Sequence, residues 1–206
     1  MDTAALITSF VTLFVIIDPI GLMPLFVALT QGMDSATRRS IAIRSCLTAF
    51  AILALFAFLG EAVLGFVGIS MPAFRIAGGV LLFLTALDML FERRTKRRED
   101  RTEEEEHPDP SVFPLAIPLI AGPGSIATVI LLSGQLGDGM TGAMLVLGVA
   151  VAVLVVVLGF FLSAGILERA LGKTGVNVAT RLLGMLLAAL AVQFILEGLR
   201  NFGFAA

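Results

Sequence analysis

Long apolar runs separated by short polar stretches dominate the chain. Each run can cross a bilayer as a helix, which takes about 20 mainly apolar residues. The six runs occupy residues 5–30, 41–60 (or 41–67), 72–91, 112–133, 141–167 and 177–199. They are continuous rather than alternating in polarity, which excludes transmembrane β-strands. The pattern predicts an all-α polytopic membrane protein with six transmembrane helices.

Composition supports this fold class. Hydrophobic residues make up 58% of the 206 residues and the mean hydropathy is +1.01, whereas an ordinary soluble domain is about 45–50% apolar. The alternative, a soluble helical core, is disfavoured on this ground. The net charge of −2 indicates no nucleic-acid partner. Residues 1–5 include no basic residue, so a cleavable signal peptide is not expected.

Basic residues predict the orientation in the membrane. They follow the first, third and fifth runs: Arg38, Arg39 and Arg44; Arg93, Arg94, Lys96, Arg97, Arg98 and Arg101; Arg169 and Lys173. The loops at 61–71 and 134–140 contain no Lys or Arg. Because cytoplasmic loops carry the excess of basic residues, both termini are expected outside, with Arg200 as the one exception to the bias.

The charged stretch at 92–111 divides the chain. A basic half precedes an acidic half that contains His107, the single histidine. We interpret the stretch as a solvated cytoplasmic linker, with lipid-headgroup contact through the basic half as the alternative. It separates a three-helix repeat at 1–91 from a second one at 112–206 within one membrane domain.

The two halves share polar landmarks in the same order. Pro19 corresponds to Pro123 at an offset of 104, and Arg75 corresponds to Arg181 at an offset of 106. Three spans per half is an odd number, so the second half must enter the membrane in the opposite orientation. This predicts an inverted-topology repeat, an architecture common among secondary transporters.

The first span of each repeat carries residues that break helices. The candidate substrate-binding residues are Asp18, Pro19, Gly21 and Pro24 in the first repeat, and Gly122, Pro123, Gly124 and Ser125 in the second. Proline removes an amide donor and clashes with the preceding turn. Broken helix ends at the bilayer midplane expose amides and carbonyls that bind charged groups. The alternative is that these prolines produce simple kinks.

Asp18 is the strongest single candidate, because a carboxylate at the centre of a span costs about 2.5–3.5 kcal/mol on insertion scales. We expect it to contact a substrate ammonium, to carry a proton, or to cap the half-helix that starts at Pro19. Candidate gating or ion-pathway residues are Arg75, Asp88, Arg181 and Gln193. The two arginines have snorkelling to headgroups as their alternative, and Asp88 has pairing with the basic residues that follow it.

No motif for catalysis or for a bound cofactor is present. The chain has no Walker A sequence, no HExxH and no cluster of Cys and His. Cys46, the single cysteine, lies in an apolar run, where it is expected to act as a small hydrophobe. We therefore expect no enzyme activity and no cofactor apart from a coupling H⁺ or Na⁺.

Three motifs resemble the MarC family of bacterial and archaeal inner-membrane proteins. They are DPIGLMP at 18–24, PLAIPLIAGPGSIAT at 114–128 and FRIAGG at 74–79, and the resemblance covers essentially the whole chain. It implies six spans in the cytoplasmic membrane. It also implies transport of small neutral amino acids such as alanine or glycine, driven by an ion gradient.

The residues and the resemblance favour one function. The chain is expected to be a secondary transporter or exporter of small neutral amino acids with a midplane site between spans 1 and 4. The alternatives are a channel or efflux path for another small solute or drug, and a non-transporting scaffold. The expected partners are the bilayer and a small-molecule substrate; the sequence leaves homo-oligomerisation open.

Overall fold

The computed structural model describes residues 3–91 and 109–203, without the side chains of residues 168, 169 and 173. Every regular element within these ranges is a helix. The helices are α1 (Thr3–Ile17), α2 (Pro19–Leu29), α3 (Ser35–Val67), α4 (Met71–Leu90), α5 (Pro123–Leu136), α6 (Gly139–Leu167) and α7 (Thr174–Phe202). A short π-helical segment, Ser111–Ile120, precedes α5. The all-α prediction is confirmed.

The helices account for all six predicted spans. Five stretches are long and apolar enough to cross a membrane: α1 together with α2, α3, α4, α6 and α7. The sixth is the segment Ser111–Ile120 followed by α5, a pair bent by 56°. Most of the predicted linker, including His107, lies outside the described residues, so the repeat boundaries remain a prediction.

Helix α3 starts six residues before the predicted span, at Ser35 instead of residue 41. Asp34 caps it, because its Oδ1 accepts hydrogen bonds from the amides of Ala36 at 2.8 Å and Thr37 at 3.0 Å. The basic residues that follow Asp34 therefore lie on the first turns of α3 and not in a loop. At the other end, Gly68 has φ 81°, and the left-handed conformation closes the helix.

The broken first span is the most enclosed of the five long apolar stretches. In its most apolar window 67% of the residues are buried, against 22% in α3 and 28% in α7. The outer helices expose large apolar side chains instead, including Phe66, Val155 and Leu182. A protein in water would bury such groups, so the burial pattern is that of a bundle whose outer face contacts lipid.

Glycines allow α4 and α7 to pack closely as an antiparallel pair. A β-carbon at Gly79 would lie 2.8 Å from the carbonyl oxygen of Ala191, and one at Gly184 would lie 3.2 Å from that of Ala86. Small residues let membrane helices approach in this way. Gly148 differs from these glycines, because a β-carbon there would meet no atom within 4 Å.

We predict that Gly79→Ala destabilises the protein by about 1–3 kcal/mol, because the added methyl group must displace backbone atoms of α7. The matched control is Gly148→Ala, where the methyl group meets no atom within 4 Å. Thermal unfolding in detergent can be followed with a thiol-reactive dye, since Cys46 is free and buried. Equal melting temperatures for the two variants would contradict the packing role of Gly79.

Candidate functional site

The first span is interrupted at one residue. Asp18 has φ 58° and ψ 65°, the left-handed region that aspartate tolerates better than most residues. Its amide still donates to the carbonyl of Phe14 at 2.9 Å, and its carbonyl accepts from Leu22 at 3.0 Å. The break therefore redirects the chain while losing few backbone hydrogen bonds, which a buried segment in a membrane requires.

The Asp18 carboxylate closes the start of α2. Its Oδ1 accepts a hydrogen bond from the amide of Gly21 at 3.0 Å, and only 1% of the residue is exposed. Pro19 occupies the first helical position, where proline loses no hydrogen bond. The capping role expected for Asp18 is confirmed. Pro24 lies inside α2.

Gly21 is required by this cap. A β-carbon there would overlap the Asp18 carboxylate, with Cγ at 2.8 Å. The carboxylate folds back over α2 only because position 21 has no side chain. The sequence motif D-P-x-G thus has a direct physical reading, in which the aspartate caps, the proline starts the helix and the glycine makes room.

The second break has a different construction. Within Ser111–Ile120, Phe113 and Ile117 have extended backbone, and each precedes a proline, which disfavours helical conformation in the residue before it. Across the bend, the Ser125 hydroxyl lies 2.6 Å from the carbonyl oxygen of Ile120 and 3.0 Å from that of Gly122. The predicted break is therefore present, and the Ser125 hydroxyl links α5 to the residues before the bend.

The start of α5 has no side-chain cap. Gly122 occupies the capping position and Pro123 the first position of the helix. The amides of the first turn, at Gly124 and Ser125, therefore have no carboxylate of the kind that Asp18 supplies to α2. A helix N-terminus in this condition carries positive partial charge and favours an anionic group.

The two breaks meet inside the bundle. A β-carbon at Gly124 would lie 3.0 Å from Cδ1 of Ile16 and 3.9 Å from Cδ2 of Leu82. Ile16 is two residues before Asp18, so the uncapped start of α5 packs against the end of α1, next to the first break. Both positions are separated from the bundle surface, since Asp18 and Ser125 are only 1% and 3% exposed.

A second polar cluster links α4, α5 and α7. The Glu197 carboxylate accepts from the side-chain amides of Gln135 at 3.0 Å and Gln193 at 2.9 Å, and it lies 3.9 Å from Nη1 of Arg75. Arg75 is only 9% exposed, and its Nε has no hydrogen-bond partner among the described residues. The Arg75 guanidinium therefore lies beside Glu197 inside the bundle, and its role in gating stays a prediction.

The structure places the predicted gating residues at the two ends of the α4–α7 pair. Arg75 and Gln193 both contact the Glu197 carboxylate. Asp88 and Arg181 lie near the opposite end of the α4–α7 pair, where Arg181 is exposed. Sequence reasoning missed Glu197 and Gln135; the only signal was that Glu197 follows Gln193 by four residues, on the same helix face.

The sequence profile described as "MarC family integral membrane protein" matches residues 3–202. The chain belongs to the MarC family. The expected resemblance is confirmed over nearly the whole length, including both helix breaks.

Relatives in this family occur in bacteria and archaea. A "UPF0056 membrane protein" of Archaeoglobus fulgidus is 41% identical, covering 93% of this chain and 90% of its own. "UPF0056 membrane protein YvbG" of Bacillus subtilis is 40% identical, with 93% and 92% covered. "UPF0056 inner membrane protein YhgN" of Escherichia coli is 35% identical, with 95% and 96% covered. These names confirm a multi-pass inner-membrane location. No solved structure matches the chain significantly.

We predict that Gly21→Ala lowers the free energy of unfolding by about 0.5–2 kcal/mol, the usual cost of losing an N-cap, because the methyl group displaces the Asp18 carboxylate. Gly159→Ala is the control, since a β-carbon there meets nothing within 4 Å. The Cys46 dye assay measures both. A Gly21→Ala protein as stable as the control would show that the cap tolerates a side chain at position 21.

Proposed function

We propose that this MarC protein is a secondary transporter of small neutral amino acids such as alanine or glycine, with its binding site where the two helix breaks meet. The observation that carries the proposal is the pairing of unlike ends: α2 begins with a buried carboxylate, and α5 begins with uncapped amides. Transport involves no catalysed reaction, so no enzyme activity is expected.

The unlike ends suit a zwitterion. The amides of Gly124 and Ser125 can receive an α-carboxylate at the start of α5, as helix N-termini commonly receive anions. The Asp18 carboxylate can receive an α-ammonium. The same anion would be repelled at the start of α2, because the Asp18 carboxylate occupies it. This difference gives the ligand one preferred orientation between the breaks.

The walls favour a small substrate. Ile16 and Leu82 approach Gly124 closely, and both α1 and α2 are packed on all sides near the break. A methyl group or a hydrogen atom fits beside such walls more easily than a long or charged side chain. This is the physical support for alanine and glycine as substrates, and it disfavours a large drug molecule.

Asp18 also supports coupling to an ion gradient. A buried carboxylate in a span is costly unless a cation or proton accompanies it. We propose that H⁺ or Na⁺ shares this carboxylate with the substrate ammonium during the transport cycle. Binding of a proton need not break the cap, because a protonated Asp18 carboxyl group would still accept the hydrogen bond from the Gly21 amide through its other lone pairs.

Alternating access is supported by the reciprocal contacts of α4 and α7. Gly79 meets the carbonyl of Ala191, and Gly184 meets the carbonyl of Ala86. At an offset of 105 residues, one less than the offset of Arg75 and Arg181, glycine matches glycine (79 and 184) and alanine matches alanine (86 and 191). This match supports a two-fold relation between inverted repeats. The cluster of Arg75, Gln193 and Glu197 would then hold one end of the pathway closed.

Counterflow in proteoliposomes tests the proposal. Vesicles preloaded with unlabelled alanine should accumulate labelled alanine, and Asp18→Asn should reduce this at least tenfold by removing the charged contact. Asparagine caps helices as well as aspartate does and tolerates the left-handed conformation, so Asp18→Asn should keep the wild-type melting temperature. Asp18→Ala, the matched variant, should lose both exchange and stability.

Three outcomes would contradict the proposal. Wild-type exchange by Asp18→Asn would remove the carboxylate from the site. Leakage of a drug or an ion without exchange of any neutral amino acid would favour a channel or efflux path. No movement of any solute, in a protein that is folded by the Cys46 assay, would favour a scaffold.

A further inference from the structure

A pocket of about 370 Å³ lies where α2 ends, α3 begins and α6 ends, at the opposite end of α2 from Asp18. Its basic and hydroxyl groups are Arg38, Arg39, Ser35 and Ser163. None of these residues belongs to the proposed transport site. Two more open pockets beside it, of about 670 and 400 Å³, each contain one of the two arginines, so the arginines form the centre of a wider concave surface.

The pocket has a rigid apolar floor. The rings of Phe26 and Phe161 are stacked, with centroids 4.4 Å apart and planes 6° apart, and each residue is only 1% exposed. The guanidinium of Arg38 lies over the Phe26 ring, 5.8 Å from its centroid. A cation held over an aromatic face is positioned before any ligand arrives.

Neither Arg38 nor Arg39 forms a salt bridge with an acidic side chain among the described residues. The nearby Arg44 is different, since its Nη1 lies 2.7 Å from Oδ2 of Asp109. The Asp34 carboxylate is occupied by the amides and the hydroxyl at the start of α3 and does not line the pocket. Those hydrogen bonds lower the pKa of Asp34, so it stays charged in its capping role. The positive charge of the pocket therefore comes from Arg38 and Arg39.

The chemistry of these groups matches a phosphate. Ser35 precedes Arg38 by three residues and Arg39 by four, so all three share one face of α3. Ser163 supplies a second hydroxyl from α6. Guanidinium groups bind phosphate oxygens through paired hydrogen bonds, and hydroxyl groups add single ones. A cluster of two guanidinium and two hydroxyl groups is therefore suited to a phosphate monoanion or diester.

The rim indicates where that phosphate comes from. Leu162 and Ile166 line the pocket and are 53% and 76% exposed, on a helix that spans the membrane. Exposed apolar side chains on such a helix contact acyl chains, so this wall of the pocket faces lipid. Arg39, on the other wall, faces water. A ligand with a phosphate and an attached hydrocarbon fits both walls, whereas a soluble anion uses only one.

We propose that this pocket binds the phosphate of an anionic phospholipid headgroup, with the acyl chains against Leu162 and Ile166. The site lies on the face that the basic-residue bias predicts as cytoplasmic. It joins α2, α3 and α6, so a bound lipid would stabilise the end of the broken first span. The proposal is independent of the proposed transport activity.

Lipid binding can be measured on the purified full-length protein. Phosphatidylglycerol added to micelles that contain phosphatidylcholine should raise the melting temperature in the Cys46 assay, and native mass spectrometry should detect the retained lipid. Arg38→Gln/Arg39→Gln should weaken phosphatidylglycerol binding about tenfold to thirtyfold. Arg38→Gln and Arg44→Gln each remove one positive charge; Arg38→Gln should weaken binding severalfold, whereas Arg44→Gln, at an arginine paired with Asp109, should leave it within about twofold of wild type.

A second variant avoids any change of charge. Ser163→Trp should fill the pocket and weaken phosphatidylglycerol binding by a similar factor, while the basic residues that orient the protein are retained. Inorganic phosphate should not stabilise the protein in phosphatidylcholine alone, and it should not displace phosphatidylglycerol when both are present.

Three results would overturn the proposal. Stabilisation by inorganic phosphate with the same arginine dependence would assign the pocket to a soluble anion. Equal losses in Arg44→Gln and in Arg38→Gln would assign the effect to general surface charge. Unchanged phosphatidylglycerol binding in both the double variant and Ser163→Trp would place the lipid elsewhere.

Discussion

The Asp18 carboxylate sets the main constraint on this bundle. It is buried in the centre of a membrane span, where a charged group must have polar partners. The chain meets that requirement locally, because Asp18 turns into the left-handed region and its carboxylate accepts a hydrogen bond from the Gly21 amide in the first turn of a new helix. This solution dictates Pro19 after it and Gly21 opposite it. It also requires that the broken span be enclosed by the other helices, because an interrupted helix in contact with lipid would leave polar groups unsatisfied.

The enclosing helices follow from that requirement. The α4–α7 pair is drawn together by glycines on both helices, and α5 brings a second interruption to the side of the first. The two interruptions are chemically unlike, since Asp18 closes one helix start and nothing in the side chains closes the other. This arrangement suits the proposed role of holding a small dipolar molecule away from water and lipid.

Much of this fold could be predicted from the sequence, because the signals were local. Apolar runs of the right length gave six spans, and Pro19, Gly21, Pro123 and Gly124 marked the breaks. The N-cap role of Asp18 also followed from its neighbours. The partners of Arg75 could not be predicted, since Glu197 and Gln135 are distant in the chain and only packing brings them together. The contact between Gly124 and Ile16 could not be predicted for the same reason. The start of α3 at Ser35 was predicted too late, because its first turns are charged and do not belong to an apolar run.

Ligand stabilisation tests the central claim, that the two breaks form one zwitterion site, most directly. The melting temperature of the purified protein can be compared in alanine, in propionate, which lacks the ammonium, and in alaninamide, which lacks the carboxylate. We expect alanine to raise the melting temperature, propionate and alaninamide to leave it unchanged, and the effect of alanine to be lost in Asp18→Asn. Equal stabilisation by alanine and propionate, or an undiminished effect of alanine on Asp18→Asn, would contradict it.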